Sequence, residues 1–284
     1  KVVEHEVKVR FEGVVAKRKL GHPVAHLIGK RDFWTLTLEV TPDTLIPRPE
    51  TELLVEYALE LTLPKQARVL DLGTGTGAIA LSLASEKPSW QVFGVDVVEE
   101  AVLLAQRNAD LNQLTQVQFS QSCWFSHLPN RQFDLIVSNP PYVESNSHYL
   151  AQGDVRFEPA SALTSGTDGL DDIKHIIKES FTHLEAGGWL VIEHGFNQAE
   201  AIAQLFSKYQ YTHLQQKHDL NNQPRVSAAQ KPFIKRSTSH SGDELAKANK
   251  TTLIEEPVSP TIIVILPILL INLVIKIEPK AMLK

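Results

Sequence analysis

The chain has 284 residues, 43% of them hydrophobic and 21% charged, which suits a globular protein with one sizeable core or two domains. A formal net charge of −5 excludes a broad electrostatic grip on nucleic acid and leaves room only for local basic patches. The single cysteine, Cys123, excludes an internal disulfide; with no Cys-x-x-Cys or His-Glu-x-x-His spacing, no metal site is expected, and a reducing, cytoplasmic setting is.

Lys1 to Lys19 is strongly charged, with Val3, Val7, Phe11, Val14 and Val15 at mixed spacing that suits part of a helix better than a strand. Gly21-His22-Pro23 breaks it. His22 and His26 stand four apart, but Pro23 lies between them without a nearby acid, so a structural role is expected for both. Phe33 to Val40 is rich in β-formers and reads as a strand or hairpin. In Leu45-Ile46-Pro47-Arg48-Pro49-Glu50-Thr51-Glu52 two prolines stiffen a loop that leads into a helix from Leu53 to Leu61, with Thr51 as its expected N-cap.

Arg68 to Leu72 then reads as a short buried strand, Gly73-Thr74-Gly75-Thr76-Gly77 as a tight turn, and Ala78 to Ser85 as the start of a helix. Val92 to Asp96 is a second strand that ends in an acid. Glycines let a ligand approach the backbone closely, and an acid at that strand tip accepts ribose hydroxyl hydrogens, so this is a nucleoside-binding unit. Gly73-x-Gly75-x-x-Ala78 also fits the loose dinucleotide fingerprint. Asp71 argues against it: just before the loop, a carboxylate faces an ammonium group favourably and repels a pyrophosphate. A nucleoside with a cationic tail, S-adenosylmethionine, fits better.

Ala101 to Leu111 reads as a helix, Val117 to Ser120 as a third strand, and Gln121 to Phe125 as a loop. There Trp124 is open to two readings, an indole laid beside adenine or a core residue. Phe133 to Ser138 is an apolar strand, and at its end comes Asn139-Pro140-Pro141-Tyr142. The Asn139 carboxamide oxygen and the Pro140 carbonyl each accept a hydrogen from an –NH2 group, two prolines hold these acceptors in place, and Tyr142 offers a flat face. A rigid turn after a strand is the alternative. Gly153 to Pro159 and Leu163 to Leu170 are irregular, with the length of a binding loop. Asp171 to Leu184 reads as a helix, Gly187-Gly188 as a turn, and Trp189 to His194 as a buried strand whose Glu193 and His194 are expected to be structural. A helix from Gln198 to Tyr209 and β-rich Tyr211 to Gln215 and Arg225 to Ala229 close the sheet. Lys231 to Glu256 is polar without periodicity and is expected to be disordered. Ile262 to Ile275 is apolar but only 14 residues long with Pro267 inside, which is short for a membrane span, so no membrane partner is expected.

Taken together, Leu45 to Glu52, Asp71 to Gly77, Asn139 to Tyr142, Gly153 to Pro159 and Gly166-x-Asp168-Gly169-Leu170 resemble the bacterial peptide chain release factor N5-glutamine methyltransferases, the HemK family. The resemblance runs from about Gly21 to about Gln230. It implies an α/β, Rossmann-like class I methyltransferase fold with a seven-stranded, mostly parallel sheet. It implies that Gly73, Thr74, Gly75, Thr76 and Gly77 wrap the methionine part of S-adenosylmethionine, that Asp96 holds the ribose and that Trp124 contacts the adenine. Asn139 would touch both cofactor and substrate, and Asn139, Pro140, Pro141 and Tyr142 would bind the glutamine of a Gly-Gly-Gln loop, with Asn139, Pro140 and Tyr142 as the catalytic set. The family carries a helical domain ahead of the catalytic one, so residues 1–20 are expected to be its remnant, 21–230 the methyltransferase domain, and 231–284 an atypical tail. The partner implied is a release factor, and direct nucleic-acid binding is not expected. Two rivals stand beside this reading: a DNA adenine or RNA guanine methyltransferase, whose acceptor loop is the same, and a cofactor-binding module without activity.

Overall fold

The computed structural model describes residues 4–128 and 131–233, so the expectations for the tail beyond Phe233, the apolar run 262–275 included, lie outside the described residues. Lys231, expected to open a disordered stretch, instead accepts the Gly187 N–H at 2.9 Å and donates to the Gly188 carbonyl at 2.8 Å. The charged N-terminal stretch forms helix α1 (His5–Lys19), which buries none of its side chains because its apolar positions do not gather on one face. Arg18 near its end donates to the His22 carbonyl at 2.9 Å and pairs with Asp154 at 3.1 Å. A short α2 (Val24–Ile28) stops at Gly29, whose φ is 72°. Strands β1 (Lys30–Phe33) and β2 (Leu36–Glu39) form an antiparallel hairpin that starts ahead of the expected Phe33 to Val40 stretch, with Phe33, Leu36 and Leu38 turned into the core.

The proline-stiffened loop ends in a 3-10 turn, Pro49–Thr51, that runs directly into α3 (Glu52–Glu60). Here the expectation for Thr51 fails. Pro49 starts the helical turn two residues early, so Thr51 already has helical backbone angles (φ −68°, ψ −20°) and its side chain caps nothing.

From there strands and helices alternate: β3 (Arg68–Leu72), α4 (Ala78–Glu86), β4 (Gln91–Asp96), α5 (Glu99–Leu111), β5 (Gln118–Gln121) and β6 (Phe133–Ser138). After the long irregular stretch come α6 (Asp171–His183), β7 (Leu184–Glu193), α7 (Ala199–Lys208), β8 (Thr212–His218) and β9 (Pro224–Gln230). Seven strands form one sheet in the order β5-β4-β3-β6-β7-β9-β8, as expected. Strands β3 to β7 pair in parallel, while β9 runs antiparallel to both its neighbours. The order reverses between β3 and β6, which open α/β sheets use as a ligand crevice.

Alternation along the strands splits the core between the two faces of the sheet. Val69, Leu135, Val137 and Val191 pack with α3 and α4, whereas Leu70, Leu72, Ile136, Leu190 and Ile192 pack with α6 and α7. Each fully buried aliphatic side chain contributes about 1.5–3 kcal/mol of burial, so the central strands are the best-anchored part of the molecule. Leu184, expected to end a helix, is instead the first residue of β7, paired with Phe133. The register then jumps to Leu135 and Trp189, and Gly187 with φ 82° makes the expected turn as a bulge inside the strand.

Gly77, at the head of α4, has φ 82°, and a Cβ there would meet Leu81, Ala105 and Phe119 at 3.1, 3.2 and 3.3 Å. Gly77→Ala therefore strains the backbone and presses on the core. It is expected to lower the unfolding free energy by about 1–3 kcal/mol, and an unchanged urea midpoint would contradict this packing.

Candidate active site

Leu72 and Ser138, the last residues of β3 and β6, lie side by side, and Ser138 Oγ donates to the Leu72 carbonyl at 2.8 Å. The chain leaves the sheet at both points through loops, Gly73 on one side and Asn139 on the other. Between them opens a cavity of about 230 Å³ whose wall includes Gly73 to Thr76, Asp96 to Val98, Ser122 to Trp124, Asn139, Pro141 and parts of the Asp43 to Thr51 segment.

The glycine loop is held from behind. Thr74 N–H donates to the Val95 carbonyl at 2.9 Å, and its hydroxyl donates to Asp71 Oδ2 at 2.7 Å. The same oxygen accepts the Ala80 N–H at 3.2 Å, so Asp71 clamps the loop to the first turn of α4. Asp71 thus does not face an ammonium ligand: it is fully buried beneath the loop, off the cavity wall, and its Oδ1 has no hydrogen-bond partner. Burial pushes its carboxyl up to about 7, against the smaller downward pull of Thr74 and Ala80. Asn108 of α5, which the sequence reading passed over, completes the support. Its Nδ2 donates to the Thr76 carbonyl at 2.9 Å and to the Glu39 carbonyl at 3.1 Å, and its Oδ1 accepts the Glu39 N–H at 2.7 Å. An asparagine in the apolar stripe of an amphipathic helix, in step with Ala101, Leu104 and Ala105, was the one available signal.

Asp96 stands on the wall. Its Oδ2 accepts the Gly75 N–H at 2.9 Å and Oδ1 the Val98 N–H at 3.0 Å, which leaves a lone pair on each oxygen for a pair of ligand hydroxyls. Burial raises its pKa, with the Val98 and Gly75 hydrogen bonds opposing. Trp124 lines the cavity, its ring 3.5 Å from where a Cβ of Gly73 would be, and it also packs against the core. Gly73, at φ 68°, has the left-handed backbone that favours glycine.

Gly77, Pro140 and Tyr142 are not on this wall, unlike the other expected residues. Gly77 is spent on the turn into α4. Tyr142 packs against the core, with its hydroxyl 3.3 Å from Glu193 Oε1 and its carbonyl accepting from Gln198 Nε2 at 3.0 Å. Asn139 donates from Nδ2 to Thr51 Oγ1 at 3.1 Å, which frees Oδ1 as an acceptor. Glu193 and His194 both turn inward. The imidazole of His194 bonds Ser227 Oγ at 2.8 Å and the Gly195 carbonyl at 2.9 Å, and burial lowers its pKa. Two irregular stretches meet over the cavity, where buried Glu158 pairs with Arg48 and accepts the Ile46 N–H at 3.0 Å. No spacing rule links positions so far apart in the chain.

The wall suits a nucleoside with a cationic tail better than a dinucleotide. Asp43, Asp96 and Asp172 line it, and the guanidinium among them, Arg48, is neutralised by Glu158. Among the described residues no cluster of His, Cys, Asp or Glu could hold a metal ion.

Residues 49–167 match the family model described as Methyltransferase small domain. The release factor glutamine methyltransferase of Aliivibrio fischeri is 45% identical to this chain over 231 residues, covering 81% of each. That of Pseudomonas aeruginosa is 49% identical over 230 residues, 81% of this chain and 83% of its own. A solved methyltransferase from Pyrococcus furiosus matches with a TM-score of 0.54 at 18% identity, covering 81% of this chain and 100% of that one, a likeness of fold.

Asp71 binds its proton more tightly folded than unfolded, since its pKa rises from 3.8 to about 7. The folded state therefore holds more protons across that window, and the Asp71 contribution to stability falls as pH rises through it. Asp71→Asn removes the charge and keeps an acceptor for Thr74. Relative to the parent it is expected to gain stability progressively from about pH 4 to 7, by a few kcal/mol at most. Urea unfolding at several pH values measures this, and a pH-independent difference would contradict the buried, raised carboxyl.

Proposed function

We propose, from the premise that this chain belongs to the release factor glutamine methyltransferase family, that it methylates the side-chain amide nitrogen of the glutamine in the Gly-Gly-Gln motif of a peptide chain release factor. The methyl donor is S-adenosylmethionine. The observation that carries the reading is the Asn139 carboxamide, held through Thr51 with its acceptor oxygen free, on the same cavity wall as the glycine loop and Asp96.

S-adenosylmethionine, when bound, supplies an electrophilic methyl group on a positively charged sulfur. Gly73 to Thr76 and Asp96 would bind it through backbone and carboxylate, with Trp124 against the adenine. A glutamine amide nitrogen is a poor nucleophile, because its lone pair is delocalised into the carbonyl. Asn139 Oδ1, on the wall, accepts one of its hydrogens, and the carbonyl of Pro140, next in the chain though itself off that wall, is the acceptor proposed for the other. Together they would raise electron density on nitrogen and turn that lone pair toward the methyl group. Pro141 forms the wall beside the amide, and Tyr142, anchored to Glu193 and Gln198, holds the end of the loop in place. Positioning of this kind supplies most of the acceleration, and no general base is needed before methyl transfer. Positive charge would disperse as the methyl group moves, so a site screened from water favours the reaction.

A net charge of −5 and a wall rich in carboxylates favour a protein substrate over DNA or rRNA. Among the described residues no helix is long and apolar enough to cross a membrane. The activity belongs in the cytoplasm, where release factors work, with residues 21–230 as the methyltransferase domain.

Labelled S-adenosylmethionine offered with a release factor, duplex DNA and rRNA is expected to label the release factor alone. Comparable labelling of either nucleic acid would overturn the substrate assignment. Asp96→Ala is expected to weaken S-adenosylmethionine binding by about 1–3 kcal/mol, measured by calorimetry, since it leaves ligand hydroxyls unmatched. Unchanged affinity would remove Asp96 from the site.

A further inference from the structure

Part of the cavity wall comes from two irregular segments, with Leu45, Arg48 and Thr51 on one and Ser161 and Ala162 on the other. The buried carboxylate of Glu158 joins them, accepting the Ile46 N–H at 3.0 Å and pairing with Arg48. Ordering a loop costs backbone freedom at every residue, so a carboxylate fixes another segment only where its own loop is already fixed.

The loop of Glu158 is fixed at the end of α1. Val155–Phe157 forms a 3-10 turn, closed by the Phe157 N–H on the Asp154 carbonyl and the Glu158 N–H on the Val155 carbonyl, each at 3.0 Å. Three residues per turn send successive side chains about 120° apart, so Phe157 and Glu158 face different parts of the molecule. While Glu158 reaches Ile46 and Arg48, the ring of Phe157 lies 4.5 Å from the imidazole of His22 and 4.9 Å from the Arg156 guanidinium. Arg156 donates to the Gly153 carbonyl at 3.1 Å and to the Leu20 carbonyl at 3.4 Å, and a Cβ on Gly21 would overlap its guanidinium. Arg18 ties the same two places together, donating to the His22 carbonyl at 2.9 Å and to Asp154 at 3.1 Å. Helix α1 buries none of its own side chains, so the seat is made by the residues at its C-terminal end.

We infer that Phe157 is a positioning residue for methyl transfer: seated against His22 and Arg156, it fixes on the end of α1 the loop whose Glu158 holds Ile46 and Arg48. It thereby sets the wall segment that ends at Thr51, the hydrogen-bond partner of Asn139. The inference rests on the reading of this cavity as the site of transfer, and it gives a task to His22, which lines no part of the cavity. Phe157→Ala removes the ring, whereas Phe157→Tyr keeps it.

The test measures hydrogen exchange at the Ile46 amide, and single-turnover methyl transfer at saturating S-adenosylmethionine over a range of release-factor concentrations. Phe157→Ala is expected to raise Ile46 exchange by about tenfold or more relative to the amides of β3. It is also expected to slow saturated transfer by about fivefold or more, with the half-saturating release-factor concentration within about twofold of parental. His22→Ala is expected to do the same, and the double variant to be little worse than either, because both break one seat. Phe157→Tyr is expected to stay within about threefold of the parent in rate and exchange. A parental rate or parental Ile46 protection in Phe157→Ala, equal impairment of Tyr and Ala, or additive losses in the double variant would each overturn the inference. So would a raised half-saturating concentration at a parental saturated rate, which would make Phe157 a docking residue for the release factor. If Phe157→Ala does not fold, His22→Ala alone decides by the same readouts. Because exchange is read without turnover, raised Ile46 exchange in variants of a parent that transfers no methyl group would keep the seat and count against the functional reading alone.

Discussion

The parallel pairing of β3 with β6 is the constraint on which the site depends. With Leu72 opposite Ser138, both strands end at the same height, and the glycine loop and the acceptor loop leave the sheet side by side. A slip of one residue would turn every side chain of one strand to the wrong face. Two different hydrophobic layers prevent it, since Val69 and Leu135 require one and Leu70 and Ile136 the other. The register that places a nucleoside beside an amide is thus enforced by burial far from either loop.

Polar groups buried behind the loops then refine what the sheet provides. Asp71, Asn108, Glu158 and Glu193 are nearly or wholly inaccessible, and each holds a segment that forms or supports the cavity wall. Such groups are a burden on stability: a buried oxygen without a partner, as at Asp71 Oδ1 and Glu193 Oε2, costs about 1–3 kcal/mol. Their placement directly beneath the loops, while the centre of the sheet stays apolar, fits a scaffold whose surplus stability is used to aim a few atoms.

Those elements whose signal is local were legible in the sequence. Alternating apolar strands, the glycine turn and the acid ending β4 announced the fold, and Asn139-Pro140-Pro141-Tyr142 announced the second loop, because backbone chemistry and spacing carry them. What depends on three-dimensional meeting was hidden. Thr51 looked like a cap because threonine before a helix commonly is one, yet Pro49 had already begun the turn and freed the hydroxyl for Asn139. Asp71 looked like a ligand because it adjoins the loop, but the alternation of β3 turns it beneath the loop instead. Glu158 meets Arg48 across more than a hundred residues, a pairing that one sequence without its fold does not disclose.

The most direct measurement replaces Asn139 by Ala and by Asp and compares single-turnover methyl transfer to a release factor with cofactor affinity. Ala removes the acceptor, while Asp keeps an oxygen there but adds a charge that stabilises a cationic cofactor more than a transition state in which the charge is dispersing. Both variants should lose transfer by at least about a hundredfold, roughly 2.7 kcal/mol on the barrier, with the Asp variant retaining most of its S-adenosylmethionine affinity. Near-parental transfer in the Ala variant would make Asn139 a turn residue and contradict the role of this loop in accepting a substrate amide.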